Sequence, residues 1–448
     1  MGADGFEVIA EVDGSGGSGP GMRVYEHGWQ SWSPAGLYDA DVISGPRPQR
    51  PEWQTMAFRP GRPAPPIGFQ GEGLLAVVPP AGDGEVRTWL AADPSVAVAS
   101  IRAHLRSGRL VIEADGPVVE LPPAPSLEGA LAATGDHLAA LMGPREIRSL
   151  APGWCSWYGY GPDISDAVVT TNLGVIERER LDVRLVQIDD GHQSDIGDWL
   201  AGSGRIRSMV DLAGRIRDGG REAGVWIAPF MIGDNSRVAR NHPDWLVRDA
   251  VAATHHWGQT IRVLDITHPG AAAYLLDVFG TMRTWGFTFF KLDFLYAGAM
   301  EGGRHVDLDP ITVYRTGLRM IRDAIGVDAT ILGCGAPLLP SIGMVDAMRV
   351  SPDTDHALDP VAGDISQPSQ RSALAAGRAR TWMHGRLWNN DPDCLIASTR
   401  NEHREGWAAY VDGYGGLAMS GDALDQLDRR GLDLTRSALR PSRSAPVA

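Results

Sequence analysis

The chain has 448 residues, and its 41 basic and 55 acidic side chains give a net charge of −14. This negative balance disfavours nonspecific binding to phosphate backbones or anionic lipid surfaces, so nucleic acid is not expected as a partner. The first residues lack a basic segment followed by an apolar one, and no apolar run reaches the roughly 18 residues that a membrane helix requires. We therefore expect a cytoplasmic protein without a membrane partner. Three cysteines without CxxC spacing favour neither a disulfide framework nor a zinc site.

Residues 1–145 are predicted to form a β-rich domain. Short runs with alternating apolar residues recur there, among them VRTWLAA and RLVIEADGPVVEL, the second with a DG turn inside it. This pattern is typical of an antiparallel sheet or sandwich. From Ser126 the pattern becomes helical and leads into Pro144, so we place the domain boundary between residues 145 and 146.

Residues 146–448 are predicted to form a (β/α)8 TIM barrel. Apolar strand candidates alternate there with amphipathic helix candidates, which is the pattern of parallel β/α units. Eight strands are the number that closes such a barrel. The predicted strands are GWCSWY, RLVQIDD, GVWIAPF, FFKLDF, ATILGCG, DAMRVSPD, GRLWNND and GGLAMSGD. The fold class is therefore α/β, a TIM barrel preceded by a smaller β-sandwich-like domain.

Polar residues recur at the ends of five of these strands. In such barrels the active site is built at the C-terminal ends of the strands, so these side chains are expected to meet at one mouth. They are Asp189 and Asp190 on the second strand, Lys291 and Asp293 on the fourth, Cys334 on the fifth, Arg349 and Asp353 on the sixth, and Asn389, Asn390 and Asp391 on the seventh.

The stretch FFKLDFLYAG places Lys291 and Asp293 among apolar residues, where charges are costly unless they are paired or face a polar cavity. Two carboxyl groups from different strands are the minimum for cleaving a glycosidic bond. We interpret Asp293 as the nucleophile, because Lys291 lies two residues earlier on the same face and would keep the carboxylate ionised. Asp353, past the end of its strand, is interpreted as the acid/base. The alternative is that each aspartate caps a helix or forms a structural ion pair.

Aromatic residues near the strand ends suggest a sugar site, because flat apolar rings stack on the C–H faces of pyranoses. The alternative is that many of the 14 tryptophans fill the space between barrel and helices. In the segment HGWQSWSPAG, two tryptophans are interspersed with polar residues, so we expect a loop from the first domain that reaches the barrel mouth. The candidate sugar-binding aromatics are Trp29, Trp154, Trp157, Tyr158 and Trp226.

The order of motifs resembles that of the α-galactosidases of glycoside hydrolase family 36, the melibiase-like enzymes. The resemblance covers about 240 residues, from GWCSWY through LWNNDPDC. Its motifs are WCSWY, QIDDG with GDW behind it, VWIAP, HPDW, FKLDF, GCGAP, RVSPDTD and WNNDPD. No single one is specific, but together in this order they are.

The resemblance implies a retaining hydrolase without metal or organic cofactor, with Asp293 as nucleophile and Asp353 as acid/base. It implies that Asp189 and Asp190 bind the 4- and 6-hydroxyls of galactose. The other implied substrate-binding residues are the cations Lys291 and Arg349, the walls Trp226 and Trp157, Cys334 near the 2-hydroxyl, His192 where the family has tryptophan, and Asp355 at the end of RVSPDTD.

The main hypothesis is therefore a retaining exo-acting α-galactosidase whose substrate is an α-galactoside oligosaccharide or glycoconjugate. The alternatives are a transglycosylase, an α-N-acetylgalactosaminidase, or a sugar-binding protein without catalysis. Compared with the family, the N-terminal domain is shorter and the sequence ends soon after the eighth strand. A homo-oligomer is compatible with the sequence but not specified by it.

Overall fold

A computed structural model describes residues 5–13, 21–42, 57–80 and 84–440. The N-terminal part consists of two antiparallel sheets, with strand orders β1-β8-β7-β4 and β3-β2-β5-β6-β9. Their strands in the described residues are β1 (Glu7–Asp13), β2 (Arg23–Glu26), β3 (Gly36–Asp39), β4 (Phe69–Glu72), β5 (Leu74–Val78), β6 (Val86–Ala91), β7 (Ser100–Arg106), β8 (Arg109–Ala114) and β9 (Val118–Ala124). The predicted β-rich N-terminal domain is present.

The two sheets pack face to face as a sandwich. Leu75 and Val77 of β5 lie in one apolar cluster with Ile101 and Ile112 of the other sheet. Because side chains alternate along a strand, the intervening residues of β5 point the other way, into the core shared with the barrel. That shared core explains why all five residues of LLAVV are buried. The domain boundary between residues 145 and 146 stays a prediction.

Helix α1 (Leu127–Met142) connects the sandwich to the barrel. The Ser126 side chain caps its first turn by accepting a hydrogen bond from the backbone of Gly129, which satisfies an otherwise unpaired N–H group. Gly143 ends the helix with φ of 61°, a conformation that favours glycine. The sequence prediction of this helix is confirmed.

The rest of the described chain alternates strands with helices. The strands are β10 (Gly153–Cys155), β11 (Leu185–Ile188), β12 (Glu222–Ile227), β13 (Met231–Gly233), β14 (Leu246–His256), β15 (Gln259–Leu264), β16 (Phe289–Leu292), β17 (Thr330–Gly333), β18 (Ala347–Arg349), β19 (Asn389–Asp391) and β20 (Met419–Ser420). The helices are α2 (Trp157–Tyr160), α3 (Asp166–Glu179), α4 (Met209–Asp218), α5 (Arg237–Asn241), α6 (Pro269–Trp285), α7 (Pro310–Ile325), α8 (Gln370–Ala379), α9 (Arg404–Tyr414) and α10 (Arg429–Ala438).

Eight of these strands form one parallel sheet in the order β19-β18-β17-β16-β12-β11-β10-β20. They are the eight strands that the sequence predicts, and the TIM-barrel-like α/β fold class is confirmed. The two edge segments meet where the Leu417 amide donates to the Asn390 carbonyl at 2.9 Å and the Leu395 amide to the Met419 carbonyl at 2.7 Å. The sheet therefore curls round until its first and last strands approach one another.

A second, antiparallel sheet lies between β12 and α6, with strand order β13-β15-β14. The pairing of β14 with β15 shifts register three times, so its residues do not alternate cleanly between apolar and polar. This is why the sequence does not predict the hairpin. Its tip follows His256, immediately before β15.

Within the part of the chain that the structure describes, no helix is both long and apolar enough to cross a lipid bilayer.

Candidate active site

The residues with polar side chains predicted at the barrel mouth follow the strands as expected. Asp189 comes directly after β11, Asp293 directly after β16, and Arg349 ends β18. Because neighbouring parallel strands run in register, their C-terminal ends lie at one rim of the sheet. The rim is therefore a candidate site, with charged groups supplied by strands far apart in sequence.

On one side of the rim, Lys291 connects two aspartates. Its Nζ atom lies 2.9 Å from Asp189 Oδ2 and 4.0 Å from Asp293 Oδ2. Burial alone would lower the pKa of Lys291, but the charges of Asp189 and Asp293 outweigh burial and raise it well above its usual value. The lysine is therefore a fixed positive charge beside the Asp293 carboxylate.

Asp293 is held in one orientation by two neutral donors. The Trp226 indole N–H donates to Oδ2 at 2.9 Å, and the Phe294 backbone N–H donates to Oδ1 at 2.8 Å. The residue is 7% exposed, so its carboxylate is reachable but not solvated on all sides. Trp226 thus binds the carboxylate directly, and the same residue is one of the predicted sugar-wall rings.

Asp190 is positioned by a residue that the sequence prediction omits. Its Oδ1 accepts from the Gln193 amide at 2.6 Å, and its Oδ2 accepts from the Trp257 indole at 2.7 Å. Trp257 belongs to the tip of the β14–β15 hairpin and not to a barrel strand. No barrel motif points to it, because its role depends on how the hairpin folds back over the rim.

On the other side of the rim, the buried guanidinium of Arg349 binds three carboxylates. Its NH1 donates to Asp353 at 2.8 Å, its Nε to Asp391 at 3.1 Å, and its NH2 lies 2.9 Å from Asp393 Oδ1. Burial alone would lower the pKa of Arg349, but Asp393 and Asp391 outweigh it and raise that pKa well above its usual value. One cation is therefore shared among three anionic groups.

Asp353 lies on the loop after β18, as predicted, and its side chain is 36% exposed. Burial raises the pKa of its carboxyl to about 7, Arg349 opposes that shift, and the charges of Asp393 and Asp293 add to it. The charge of Lys291 lowers it. Charged groups from both sides of the rim therefore affect the pKa of Asp353. This group can hold a proton near neutral pH and release it.

Asp393 is a second contributor that the sequence prediction leaves out. It is fully buried, it has φ of 83°, and it accepts hydrogen bonds from the Tyr158 hydroxyl and the Thr354 backbone N–H. A positive φ is uncommon in a residue other than glycine and marks a conformation fixed by its surroundings. The signal in the sequence was the WNNDPDC motif, which contains Asp393 but does not reveal which of its aspartates meets Arg349.

Cys334 lies between the two halves. Burial raises the pKa of its thiol well above the usual value, with Asp293 adding to the shift and the cations Arg349 and Lys291 opposing it. The thiol therefore remains protonated and neutral, and its neighbours are the charged groups of the rim.

Other predicted residues lie deeper in the protein or away from these contacts. Trp154 is fully buried and its indole donates to the Asp422 carbonyl at 2.8 Å, which leaves it no surface for a ligand. His192 is 1% exposed, and its Nε2 lies 2.9 Å from the Trp226 carbonyl. Because that carbonyl only accepts, Nε2 carries the proton, and burial lowers the pKa of the ring. His192 therefore supports Trp226 from behind and does not present its own ring.

Trp157 is half-buried at the start of α2 and packs against an apolar cluster that contains Cys155 and Cys394. Asp355 is exposed, and its Oδ1 accepts a hydrogen bond from the backbone N–H of His356. The predicted amides Asn389 and Asn390 bind within the protein: Asn389 donates to the Arg148 carbonyl and Asn390 to the Arg380 carbonyl. The amide groups of these two asparagines form structural hydrogen bonds and do not add donors to the rim.

The N-terminal segment 27–36 does reach the barrel. The Ser31 N–H donates to the Ala336 carbonyl at 2.9 Å, and the Leu338 N–H donates to the Trp29 carbonyl at 3.1 Å. Trp29 and Trp32 are both buried, and Trp32 packs edge-on against Phe294, with ring centroids 4.9 Å apart. Of the two tryptophans in this segment, Trp32 adjoins the residue after Asp293, and it lies three residues after the predicted Trp29.

Comparisons with known proteins show which proteins this chain resembles. A family model described as Melibiase matches residues 169–296. The α-galactosidase TtGalA from Thermus thermophilus, solved with p-nitrophenyl α-D-galactopyranoside, superposes with a TM-score of 0.80 and is 28% identical, covering 98% of this chain and 94% of that one. The chain is therefore similar to the melibiase-like α-galactosidases of glycoside hydrolase family 36.

Other relatives match over shorter segments or at lower identity. The bifunctional α-galactosidase/sucrose kinase AgaSK of Mediterraneibacter gnavus is 34% identical over 80 residues, 16% of this chain and 9% of its own length. The α-galactosidase AgaA of Geobacillus stearothermophilus is 28% identical over 105 residues, 22% of this chain and 14% of its own length. Its crystal structure shares the fold with a TM-score of 0.63 at 14% identity, covering 93% of this chain and 60% of that one. The matched segments are thus small parts of these curated melibiase-like relatives.

Proposed function

We propose that this melibiase-like protein is a retaining exo-α-galactosidase that removes terminal α-galactosyl groups by double displacement. Asp293 is the nucleophile and Asp353 is the acid/base. The observation that carries the proposal is the pair of unlike carboxyl environments at one rim. Asp293 adjoins a fixed ammonium at 4.0 Å, whereas burial raises the pKa of Asp353 to about 7.

In the first step Asp293 Oδ attacks the anomeric carbon while the glycosidic bond to the leaving oxygen breaks. Asp353, protonated, gives its proton to that oxygen, so the aglycone leaves as a neutral alcohol. In the second step the Asp353 carboxylate takes a proton from water, and the water oxygen displaces Asp293 from the anomeric carbon. The two inversions give net retention of the α configuration.

The surroundings of Asp293 and Asp353 favour these roles as nucleophile and acid/base. The nucleophile must be ionised at the pH where the acid is still protonated, and burial, which raises the pKa of Asp353 to about 7, keeps the acid protonated close to neutral pH. The Trp226 and Phe294 N–H donors fix the nucleophile before substrate arrives, which lowers the cost of orientation.

Substrate recognition is assigned to the same rim. Asp189 and Asp190 are proposed to bind hydroxyls of the galactosyl ring, with Lys291, Arg349 and Trp226 as further contacts. TtGalA has been solved with p-nitrophenyl α-D-galactopyranoside and with stachyose. Small and oligomeric α-galactosides are therefore the substrates to test first.

The test is hydrolysis of p-nitrophenyl α-galactoside and raffinose by the purified protein, followed by NMR during the first turnovers. Appearance of α-galactose before mutarotation supports retention, whereas β-galactose would overturn the double displacement. No release from either substrate, together with an Asp293→Asn variant that behaves like the wild type on every α-glycoside, would overturn the proposal. Product analysis with excess acceptor, and assay of the N-acetylated analogue, separate hydrolysis from the two related activities.

A further inference from the structure

We propose that Trp257, at the tip of the β14–β15 hairpin, is a specificity-determining residue of the galactosyl pocket. It acts by holding Asp190 as the carboxylate that accepts hydrogen bonds from the sugar. The inference rests on the proposed function, since it names the group that reads the substrate at that site.

The two adjacent aspartates differ in how much acceptor capacity remains. An ionised carboxylate accepts about four hydrogen bonds. Asp189 already has four donors: Gln187 Nε2 at 2.6 Å, Lys291 Nζ at 2.9 Å and Cys155 Sγ at 3.4 Å on Oδ2, and the Asp190 backbone N–H at 2.9 Å on Oδ1. Its Oδ2 is therefore fully used by protein donors, and about one acceptor position remains on Oδ1.

Asp190 has two protein donors, one on each oxygen: Gln193 on Oδ1 and Trp257 on Oδ2. About two acceptor positions therefore remain, and they are fixed in direction because each oxygen is already tied. Asp190 is 4% exposed, so its remaining acceptors would be costly to leave unpaired without a ligand or water. Asp190 is therefore the carboxylate of the pair with more acceptor capacity left for sugar hydroxyls.

Trp257 is placed for this task from outside the barrel. Its φ is 49°, in the left-handed region that only a tight turn normally imposes on such a side chain. Its ring lies 6.3 Å from the Trp226 ring and 5.1 Å from the Phe294 ring, measured between centroids. Those two residues donate to the Asp293 carboxylate, so a continuous aromatic wall runs from the nucleophile to Asp190.

The hairpin tip thereby links substrate recognition to the nucleophile. Removing the indole N–H frees Asp190 Oδ2, and the carboxylate can rotate away from the direction in which a sugar hydroxyl approaches. The resulting loss of substrate affinity then depends on the sugar hydroxyl that Asp190 binds. The binding of a substrate that lacks that hydroxyl should not change. A general loss of folding or packing would weaken the binding of all substrates equally.

The test compares Trp257→Phe, which keeps a ring but removes the donor, with Trp285→Phe on α6 as a matched control. Substrates are p-nitrophenyl α-galactoside and its 4-deoxy and 6-deoxy analogues. We expect Trp257→Phe to lower kcat/KM for the galactoside by about tenfold to hundredfold, the range for a hydrogen bond to a charged group. For at least one deoxy analogue the loss should shrink to less than about threefold, and the control should change none of the three.

Calorimetric binding of galactose, 4-deoxygalactose and 6-deoxygalactose gives the same contrast without requiring turnover. It therefore separates this inference from the proposed function: a wild type that binds galactose but hydrolyses nothing still reports on Trp257. Equal losses for all three ligands, or no loss, would overturn the inference, as would absence of galactose binding. In an Asp190→Asn background the Trp257→Phe change should add little, because a residue that acts through Asp190 cannot act once the carboxylate is gone.

Discussion

Asp293 and Asp353 carry the same functional group to the same rim, yet their surroundings differ. Asp293 receives two neutral N–H donors and a lysine at 4.0 Å. Asp353 receives a guanidinium at 2.8 Å, a closer cation than its counterpart has. From this nearest neighbour alone, the pKa of Asp353 would be expected to be lowered.

The wider contacts reverse that expectation. Arg349 also binds Asp391 and Asp393. These two carboxylates already balance its positive charge, so less of that charge acts on Asp353. Burial then raises the pKa of Asp353 to about 7. The comparison teaches that burial, together with the sharing of the nearest cation among several carboxylates, sets the protonation role of a carboxyl group.

The largest effect on activity is expected at Asp293, the proposed nucleophile that bonds to the anomeric carbon. Asp293→Asn keeps the shape of the side chain but removes the negative charge that attacks the anomeric carbon. We expect kcat to fall by about 10⁴-fold or more on every α-galactoside, as for other nucleophile deletions. Asp277→Asn, on the exposed face of α6, is the matched control and should retain full activity in the same steady-state assay.

Asp353→Asn should have a smaller effect that depends on the leaving group. Without the proton donor, raffinose hydrolysis is expected to slow by about 10² to 10⁴-fold, the usual contribution of general acid catalysis. A p-nitrophenolate leaving group needs little protonation, so the first step should be much less affected and a burst of p-nitrophenol should precede slow turnover. Equal losses on both substrates would remove Asp353 from the acid role.

The eight barrel strands could be predicted because each is a short apolar run bounded by turns, and parallel strands within a βα barrel need no long-range register information. The charged residues at their ends followed from the same reasoning, since Lys291 and Asp293 stand in a segment too apolar to hold them without partners. That part of the site is local in sequence. It can therefore be predicted from the sequence alone.

Trp257 and Asp393 were not predicted because their roles are set by tertiary contacts. Trp257 reaches Asp190 from a hairpin whose irregular register hides its strands, and Asp393 reaches Arg349 through a left-handed backbone conformation. Trp154 shows the converse: a tryptophan beside a strand end suggested a sugar wall, but its neighbours enclose it completely. Strand position indicates the rim, whereas the direction of a side chain there depends on packing.

The pH profile of activity tests whether the carboxylates that share Arg349 with Asp353 affect the pKa of Asp353. The acid must be protonated for the first step, so kcat/KM for raffinose should fall as pH rises through about 7, the pKa of Asp353. The negative charge of Asp393 raises that pKa, so Asp393→Asn should lower it and move the alkaline limb to lower pH, by up to about one unit. A limb that stays in place, or moves to higher pH, would contradict this account of the shared cation.

The smallest expected effect concerns stability. The pKa of Asp353 is about 7 in the folded protein, against 3.8 for an unperturbed carboxyl, so the folded state holds its proton more tightly than the unfolded chain does. Its contribution to stability is complete below pH 3.8 and is lost as pH rises towards 7. Asparagine does not titrate and can still accept from Arg349.

We therefore expect the thermal midpoint of Asp353→Asn to exceed that of the wild type by about 1 to 3 °C at pH 8, a modest shift for a chain of this size. The difference should shrink between pH 7 and pH 4, because protonation restores the wild-type side chain to a neutral group. Scanning calorimetry at a series of pH values measures it. If the difference grew towards low pH instead, the carboxylate would be the form of Asp353 that the fold stabilises, and the assignment of Asp353 as a group with a raised pKa would be wrong.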